Sequence, residues 1–255
     1  TTRRYRVTVL TESWIVPLLQ SAEMKTLGLI GGVGPESTIE YYRLLVSGYR
    51  ERIGNGSYPS VFINSVDLQR LISWMNANEL ERVVDYLVAE IEKLQNTGVT
   101  FAAIASNTPH IVFEEIQRRI KVPMVSIVET ACTRVQSAGF KTVGLFGTRY
   151  TMRAGCYPKV FTGANIKLVV PNELEQDYIH ERSMGELLNN IFLPETRARI
   201  LEIADELKMR DGIEALILGG TELPLLLKDD EHAGLPILDT TRIHVDRLVD
   251  ELLKP

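Results

Sequence analysis

Residues 28–31 read Gly-Leu-Ile-Gly, and residues 144–147 read Gly-Leu-Phe-Gly. A second matched pair is Ala-Ile-Ala-Ser-Asn-Thr at residues 103–108 and Ile-Leu-Gly-Gly-Thr-Glu at residues 217–222. Each stretch is a short apolar run closed by small or polar residues, which is typical of the carboxyl end of a buried strand. The later member of each pair follows the earlier one at nearly the same separation along the chain. This repetition indicates a duplicated α/β unit.

Short β-rich runs alternate with amphipathic helical patterns from residue 26 to the C-terminus, which is typical of mostly parallel sheets with helices on both faces. The predicted strands are residues 26–30, 61–64, 101–105, 122–125, 142–146, 166–169, 215–218 and 235–238. The predicted helices are residues 36–52, 79–97, 109–120, 127–138, 195–210 and 240–253, with a further helix beginning at residue 151. Ligands of open parallel sheets bind beyond the carboxyl ends of the strands, so we expect one cleft between two similar halves.

The predicted domain organisation has three parts. Residues 1–23 are an N-terminal extension in which three arginines precede interrupted apolar runs, and Met24 is interpreted as a natural start. A signal or transit peptide is the alternative, but no cleavage pattern of small residues supports it. The first α/β half covers residues 24–121 and is completed by the C-terminal helix, at about residues 225–255. The second half covers residues 122–224.

The composition argues against several classes of protein. The net charge is −5, from 28 basic and 33 acidic residues that are interspersed, so we expect no nucleic-acid partner. No apolar run approaches the roughly 20 residues of a membrane-spanning helix, so we expect no membrane insertion. The two cysteines, Cys132 and Cys156, have no metal-binding or CxxC spacing, which predicts packing thiols in a reducing, cytoplasmic setting. The spacing of the four histidines predicts no metal site.

Residues 31–38, Gly-Gly-Val-Gly-Pro-Glu-Ser-Thr, follow the first predicted strand. A glycine-rich turn at this place can bind phosphate, but the stretch has neither the GxGxxG spacing nor the lysine of a P-loop. We therefore interpret the glycines as serving a tight turn in which the backbone passes close to a ligand.

Three further motifs end predicted strands: Ser-Asn-Thr-Pro-His at residues 106–110, Gly-Thr at 147–148, and Gly-Gly-Thr-Glu-Leu-Pro at 219–224. In order and spacing, the four motifs resemble those of the cofactor-independent aspartate/glutamate racemase superfamily, over about residues 24–255. The resemblance implies two α/β halves related by a pseudo-twofold axis with the site between them. It also implies an isomerase that acts on a small amino acid or carboxylate without pyridoxal phosphate or another cofactor, as a homodimer.

The chain departs from the superfamily at the two positions that the resemblance assigns to catalytic cysteines, which are Ser106 and Gly220. Cysteine suits proton transfer at Cα because its pKa, near 8.5, is easily lowered. A serine hydroxyl needs a partner that takes its proton, and His110 and Glu222 are the nearest candidates in sequence. A purely structural role for Ser106, as the cap of the next helix, is the alternative.

The resemblance also assigns substrate-binding positions. The carboxylate of the substrate is expected to contact Asn107, Thr108, Thr148 and Thr221, and Val33 and Gly34 are further expected substrate-binding positions. A second carboxylate, as in aspartate, is expected to pair with Arg50, Arg52 or Arg182, although surface arginines usually serve only solvation.

The resemblance implies a racemase-like enzyme that moves a proton at Cα, with its chemistry altered at Ser106 and Gly220. One alternative is a decarboxylase or lyase of the same superfamily that needs a single base. Another is a carboxylate-binding protein without catalytic activity. A further hypothesis is that one or both replacements were introduced to trap a ligand.

Overall fold

The computed structural model describes residues 25–255, so the predictions made for residues 1–23 lie outside the described residues. The first sheet has the order β2-β1-β3-β4 and is parallel throughout. Its strands are β1 (Thr26–Gly31), β2 (Ser60–Ser65), β3 (Phe101–Ile104) and β4 (Met124–Val125). The second sheet has the order β6-β5-β7-β9-β8, and only the β8–β9 pair is antiparallel. Its strands are β5 (Thr142–Gly147), β6 (Lys167–Val169), β7 (Ala215–Gly219), β8 (Glu231–His232) and β9 (Leu235–Asp239).

Helices cover both faces of each sheet, which confirms the predicted fold class. They are α1 (Pro35–Ile53), α2 (Leu68–Asn76), α3 (Leu80–Gln95), α4 (Phe113–Arg119), α5 (Ile127–Ala138), α6 (Arg149–Arg153), α7 (Cys156–Gly163), α8 (Glu173–Gly185), α9 (Pro194–Asp211), α10 (Leu223–Leu226) and α11 (Thr240–Leu252). Two short 3₁₀ turns lie at Thr108–Val112 and Leu187–Asn189. Within residues 25–255 no helix is both long and apolar enough to cross a membrane.

The duplication is visible in the strand order. Strands β1, β2, β3 and β4 occupy the same relative places in the first sheet as β5, β6, β7 and β9 in the second. Each sheet is buried between two apolar clusters, one on either face. The internal repeat in the sequence therefore corresponds to two units of the same topology.

The two units exchange a helix. After β4 the chain enters α5, whose buried residues pack with β5 and β7 of the second sheet. After β9 it enters α11, whose buried residues pack with β1, β3 and α1 of the first sheet. Both helices begin at a side-chain cap, Ser126 for α5 and Asp239 for α11. Such a cap stabilises a helix by about 1 kcal/mol and marks the point where the chain changes direction.

This exchange moves the boundaries expected from the sequence. Strand β4 pairs with β3, so the first sheet extends to Val125 and not only to residue 121. Strands β8 and β9 belong to the second sheet, so the C-terminal segment that completes the first half is α11 alone.

The structure also contains three helices that the sequence pattern did not predict, which are α2, α8 and the four-residue α10. Helix α2 begins at Asp67, whose side chain accepts a hydrogen bond from the backbone of Gln69. Helix α8 begins with a capping box formed by Asn172 and Glu175. Both caps are sequence signals of a helix start. Helix α8 was hidden because it buries polar side chains, among them Gln176 and Ser183, which breaks the amphipathic pattern.

Candidate functional site

The first glycine-rich turn links β1 to α1 and lies against the last motif of the chain. Gly34 has a φ of 50°, a left-handed conformation that favours glycine. A Cβ atom at Gly34 would overlap Oε1 of Glu222, so any other residue there would have to displace that carboxyl group. The turn therefore lets the backbone of the first half approach a carboxyl group of the second half.

The carboxyl group of Glu222 is buried and has hydroxyl partners. Ser37 Oγ lies 2.7 Å from Glu222 Oε1 and 2.8 Å from Thr221 Oγ1. Thr221 Oγ1 is 3.2 Å from the same carboxyl oxygen. Burial raises the pKa of Glu222, and the hydrogen bonds from Ser37 and Thr221 only partly oppose this. Glu222 thus holds a proton to higher pH than an exposed glutamate does.

Three threonine hydroxyls meet where the two halves face each other. Thr108 Oγ1 lies 3.0 Å from Thr148 Oγ1 and 3.3 Å from Thr151 Oγ1. Thr148 and Thr151 are 3.2 Å apart, and Thr148 caps α6 by accepting the backbone N–H of Thr151. A hydroxyl can donate as well as accept, so this group can turn its hydrogens toward an anion.

Asn107 is buried and its side chain is directed into the interior. Its Oδ1 accepts a hydrogen bond of 2.6 Å from Tyr157 Oη, and its Nδ2 donates to Thr240 Oγ1 at 3.1 Å. Thr240 in turn donates to the carbonyl of Leu218 at 2.7 Å. Asn107 therefore ties the loop after β3 to the second half, and this network occupies its carbonyl oxygen.

His110 is buried and lies against the start of α5. Its Nε2 accepts the backbone N–H of Ile127 at 3.2 Å, and its ring stacks on Phe113 with centroids 4.9 Å apart. Because Nε2 is an acceptor, the proton of the neutral ring is assigned to Nδ1. Burial, with a smaller contribution from His244, lowers the pKa of His110 to about 3. The imidazole is therefore neutral at physiological pH.

Ser106 follows β3 and lines the cleft between the halves. Within residues 25–255 its hydroxyl makes no hydrogen bond, and the following 3₁₀ turn has no side-chain cap. Its hydroxyl therefore makes no hydrogen bond to His110 or Glu222 and does not cap the next helix.

Gly220 follows β7 at the place that is equivalent to Ser106 after β3. Its backbone conformation differs from that of Gly34. Its backbone is not left-handed. A Cβ atom there would lie 3.4 Å from Leu223 Cδ1 and 3.6 Å from Gly147 Cα, which are ordinary contacts. The fold thus accepts a small side chain at Gly220, and the backbone does not require glycine.

The strand-end motifs enclose a narrow cleft with an apolar wall. The cavity measures about 50 Å³. Its lining is Val33, Gly34, Leu68, Leu71, Ile72, Met75, Ser106, Thr108, Pro109, Thr148, Tyr150, Met184, Leu188 and Glu222. A larger groove of about 1050 Å³ lies along α5 and α11, away from these motifs. The walls of the narrow cleft must part to admit a ligand as large as an amino acid.

The three arginines proposed for a second carboxylate lie outside this lining. Arg52 pairs with Asp246 at 2.8 Å and with Asp250 at 2.7 Å. The guanidinium of Arg50 lies 5.0 Å from the ring centre of Tyr58.

Arg182 pairs with Glu186 at 2.6 Å and lies over the ring of Tyr178.

The two thiols also lie outside the lining of the cleft, and burial raises the pKa of both Cys132 and Cys156. Neither cysteine is therefore poised as a thiolate.

Sequence reasoning missed several residues of the site. Ser37 lies three residues after Gly34, and Thr151 lies three residues after Thr148, which is the spacing of one helical turn. This spacing was the signal in the sequence that could have identified Ser37 and Thr151. The apolar wall was missed because α2 and α8, which contribute to it, were not recognised as helices.

Comparisons with known proteins agree with this architecture. The family model described as Asp/Glu/Hydantoin racemase matches residues 30–248. The broad specificity amino-acid racemase RacX of Bacillus subtilis is 27% identical over 84% of this chain and 92% of its own length.

Two solved structures are also similar. An aspartate racemase homologue from Pyrococcus horikoshii has a TM-score of 0.76 and 31% identity, covering 91% of this chain and all of its own. A candidate Asp/Glu racemase from Yersinia pestis has a TM-score of 0.81 and 27% identity, with the same coverage. The chain therefore belongs to the Asp/Glu/Hydantoin racemase family.

Proposed function

We propose that this protein binds a small amino acid or related carboxylate in the narrow cleft and moves a proton at its Cα without pyridoxal phosphate. The observation that carries the proposal is Glu222, a buried carboxyl group with a raised pKa that lines the cleft together with Ser106 and Thr108. A base whose pKa is moved toward neutrality is suited to proton transfer.

Substrate binding is assigned to the polar side of the cleft. Thr108 and Thr148 can turn their hydroxyl hydrogens toward the substrate carboxylate, as hydroxyl groups of anion sites commonly do. The backbone at Val33 and Gly34 completes this side of the cleft. Asn107 and His110 hold the loop that carries Ser106 and Thr108, because their side chains bind Tyr157 and Ile127.

In the proposed reaction Glu222, as a carboxylate, takes the Cα proton, and the electron pair moves into the substrate carboxylate to form an enolate. If the protonated Glu222 exchanges its proton with solvent and then delivers the solvent proton to the same face of the enolate, the hydrogen is exchanged without inversion. Inversion needs a proton from the opposite face, and a serine hydroxyl is a far weaker acid than a thiol. We therefore expect exchange to be much faster than racemisation.

A one-base decarboxylation or lyase reaction is the second candidate. Among residues 25–255, Glu222 is the one carboxyl group that lines the cleft, and no Lys, Arg, His or Cys side chain joins it. A reaction with a single proton transfer matches this set of groups, since it needs no acid on the opposite face.

Deuterium exchange at Cα tests the proposal. Amino acids and small carboxylates are incubated with the protein in D₂O, exchange is followed by NMR, and released CO₂ is measured in parallel. We expect exchange or CO₂ release with at least one compound. Glu222→Gln should lower that rate by about 100-fold or more, whereas Glu51→Gln, an exposed carboxyl on α1, should not. Binding without exchange or CO₂ release would instead identify a carboxylate-binding protein.

Two further properties are proposed, the first from the resemblance to the family and the second from the cysteines. We propose that the protein is a homodimer, to be checked by sedimentation velocity. We also propose that it acts in the cytoplasm, because its two cysteines are free and one of them is buried, as in proteins of reducing compartments.

A further inference from the structure

We propose that the cleft selects a substrate with an apolar side chain, and that α2 and the end of α8 form the subsite for it. This inference rests on the proposed function and names its substrate class. It follows from the shape of the apolar wall, the exposure of its side chains and the charges around it.

The first side of the wall is one face of α2. Leu68, Leu71, Ile72 and Met75 follow the helical spacing of a single apolar stripe, and all four line the cleft. Leu71 and Met75 are buried against the first half, whereas Leu68 and Ile72 are only half-buried. The half-buried pair is the part of the stripe that remains available to a ligand.

The second side of the wall comes from the other half of the molecule. Met184, Leu188 and Tyr150 line the same cleft, and all three are half-buried. The hydroxyl of Tyr150 donates to the side-chain oxygen of Asn76, which joins the end of α2 to the second half across the cleft. An apolar ligand group between the two sides would remove further apolar surface from water on both.

The charges around the wall disfavour a second carboxylate. Within residues 25–255 no lysine or arginine lines the cleft. Two nearby cations of the second half have acidic partners: Arg149 pairs with Asp177 at 2.9 Å, and Arg182 pairs with Glu186 at 2.6 Å through one end of its guanidinium, while its Nε has no hydrogen-bond partner among residues 25–255. A carboxylate placed against α2 would lose hydration without gaining a cation, which is unfavourable.

A binding panel tests the inference. Calorimetry, or Cα exchange where it occurs, compares alanine, valine, leucine and methionine with aspartate and glutamate. We expect affinity to rise about threefold to fourfold for each added CH₂ that is buried. Leucine or methionine should bind at least about tenfold more tightly than either acidic amino acid. If aspartate or glutamate binds as tightly as leucine, the inference is wrong while the proposed function stands. If no amino acid or carboxylate binds, the proposed function fails, and the inference fails with it.

Two variants locate the subsite. Ile72→Arg and Met184→Arg each place a cation in the wall at a half-buried position. Each should shift the ratio of leucine to glutamate affinity by at least about tenfold toward glutamate. Leu174→Arg is the matched control, because Leu174 lies on the same helix as Met184 and is 82% exposed. An unchanged ratio in both cleft variants would overturn the location, and Ile72→Ala, which should weaken leucine binding several-fold, checks it without adding charge.

Discussion

The turns after β3 and β7 are equivalent in the duplicated fold, yet they are held in chemically different ways. Each reaches across to the opposite half. The first uses the amide of Asn107 bound to Tyr157, and the second uses the carboxyl of Glu222 bound to Ser37. The amide is neutral at every accessible pH, whereas Glu222 titrates with a raised pKa. The comparison teaches that two turns of the same topology can hold different polar groups, with a buried carboxyl group in only one of them.

The same asymmetry appears at the two positions assigned to cysteines by the resemblance. Ser106 presents a hydroxyl to the cleft, and Gly220 presents no side chain although its backbone accepts a Cβ atom. The duplicated backbone therefore carries different side chains at these two matched positions.

The strongest way to break the asymmetry is the double variant Ser106→Cys with Gly220→Cys. Because a Cβ atom at Gly220 meets its neighbours at 3.4 Å or more, the backbone there accepts the β-carbon of the second cysteine. We expect racemisation of an amino acid that the protein binds to rise by about 100-fold or more, the scale of an acid/base group. Loss of optical rotation measures it. Ser106→Ala with Gly220→Ala is the control without thiols, and equal rates in the two double variants would contradict the prediction.

The second prediction concerns Glu222, the buried carboxyl group in the turn after β7. As a base, Glu222 acts only when deprotonated, so the exchange rate should rise with pH through its raised pKa. Ser37→Ala removes a donor to the carboxylate, which should raise this pKa further and move the profile to higher pH. The rate on the alkaline plateau should fall by less than about tenfold. A profile that stays in place in Ser37→Ala would show that another group titrates.

The sequence was sufficient for the fold and for the loops that meet at the cleft, because strand ends of parallel sheets converge by topology alone. It was not sufficient for the direction of each side chain. Asn107 and His110 stand in the expected loop, but their partners Tyr157 and Ile127 arrive from other elements of the fold. Similarly, Arg52 lies on the expected helix, where it pairs with acidic residues of α11. Such long-range pairings have no local signal in the sequence.

The third prediction concerns Asn107, the buried amide in the turn after β3. Asn107→Ala removes the acceptor of Tyr157 Oη and the donor to Thr240, leaving a buried phenol hydroxyl without its partner. We expect the free energy of unfolding to fall by about 2–3 kcal/mol. Urea denaturation measures it. Asn96→Ala, at an exposed position after α3, is the control and should change it by less than about 0.5 kcal/mol.

The smallest expected effect is the pH dependence contributed by His110. Its folded-state pKa of about 3 lies well below the usual value of 6.5, so the unfolded chain binds a proton that the folded chain excludes. The stability that depends on a neutral His110 is therefore complete above about pH 6.5 and is lost as the pH falls toward 3. At pH 5.5 the lost stability amounts to about 1.4 kcal/mol, since each pH unit below the unfolded pKa contributes about 1.36 kcal/mol.

His110→Gln should accordingly lose less stability than the original chain between pH 7 and pH 5.5, as measured by urea denaturation at both values. His232→Gln, at a half-buried position beside Asp205, is the control. If both substitutions flatten the pH dependence of stability equally, the protonation of His110 is not what destabilises the fold between pH 7 and pH 5.5.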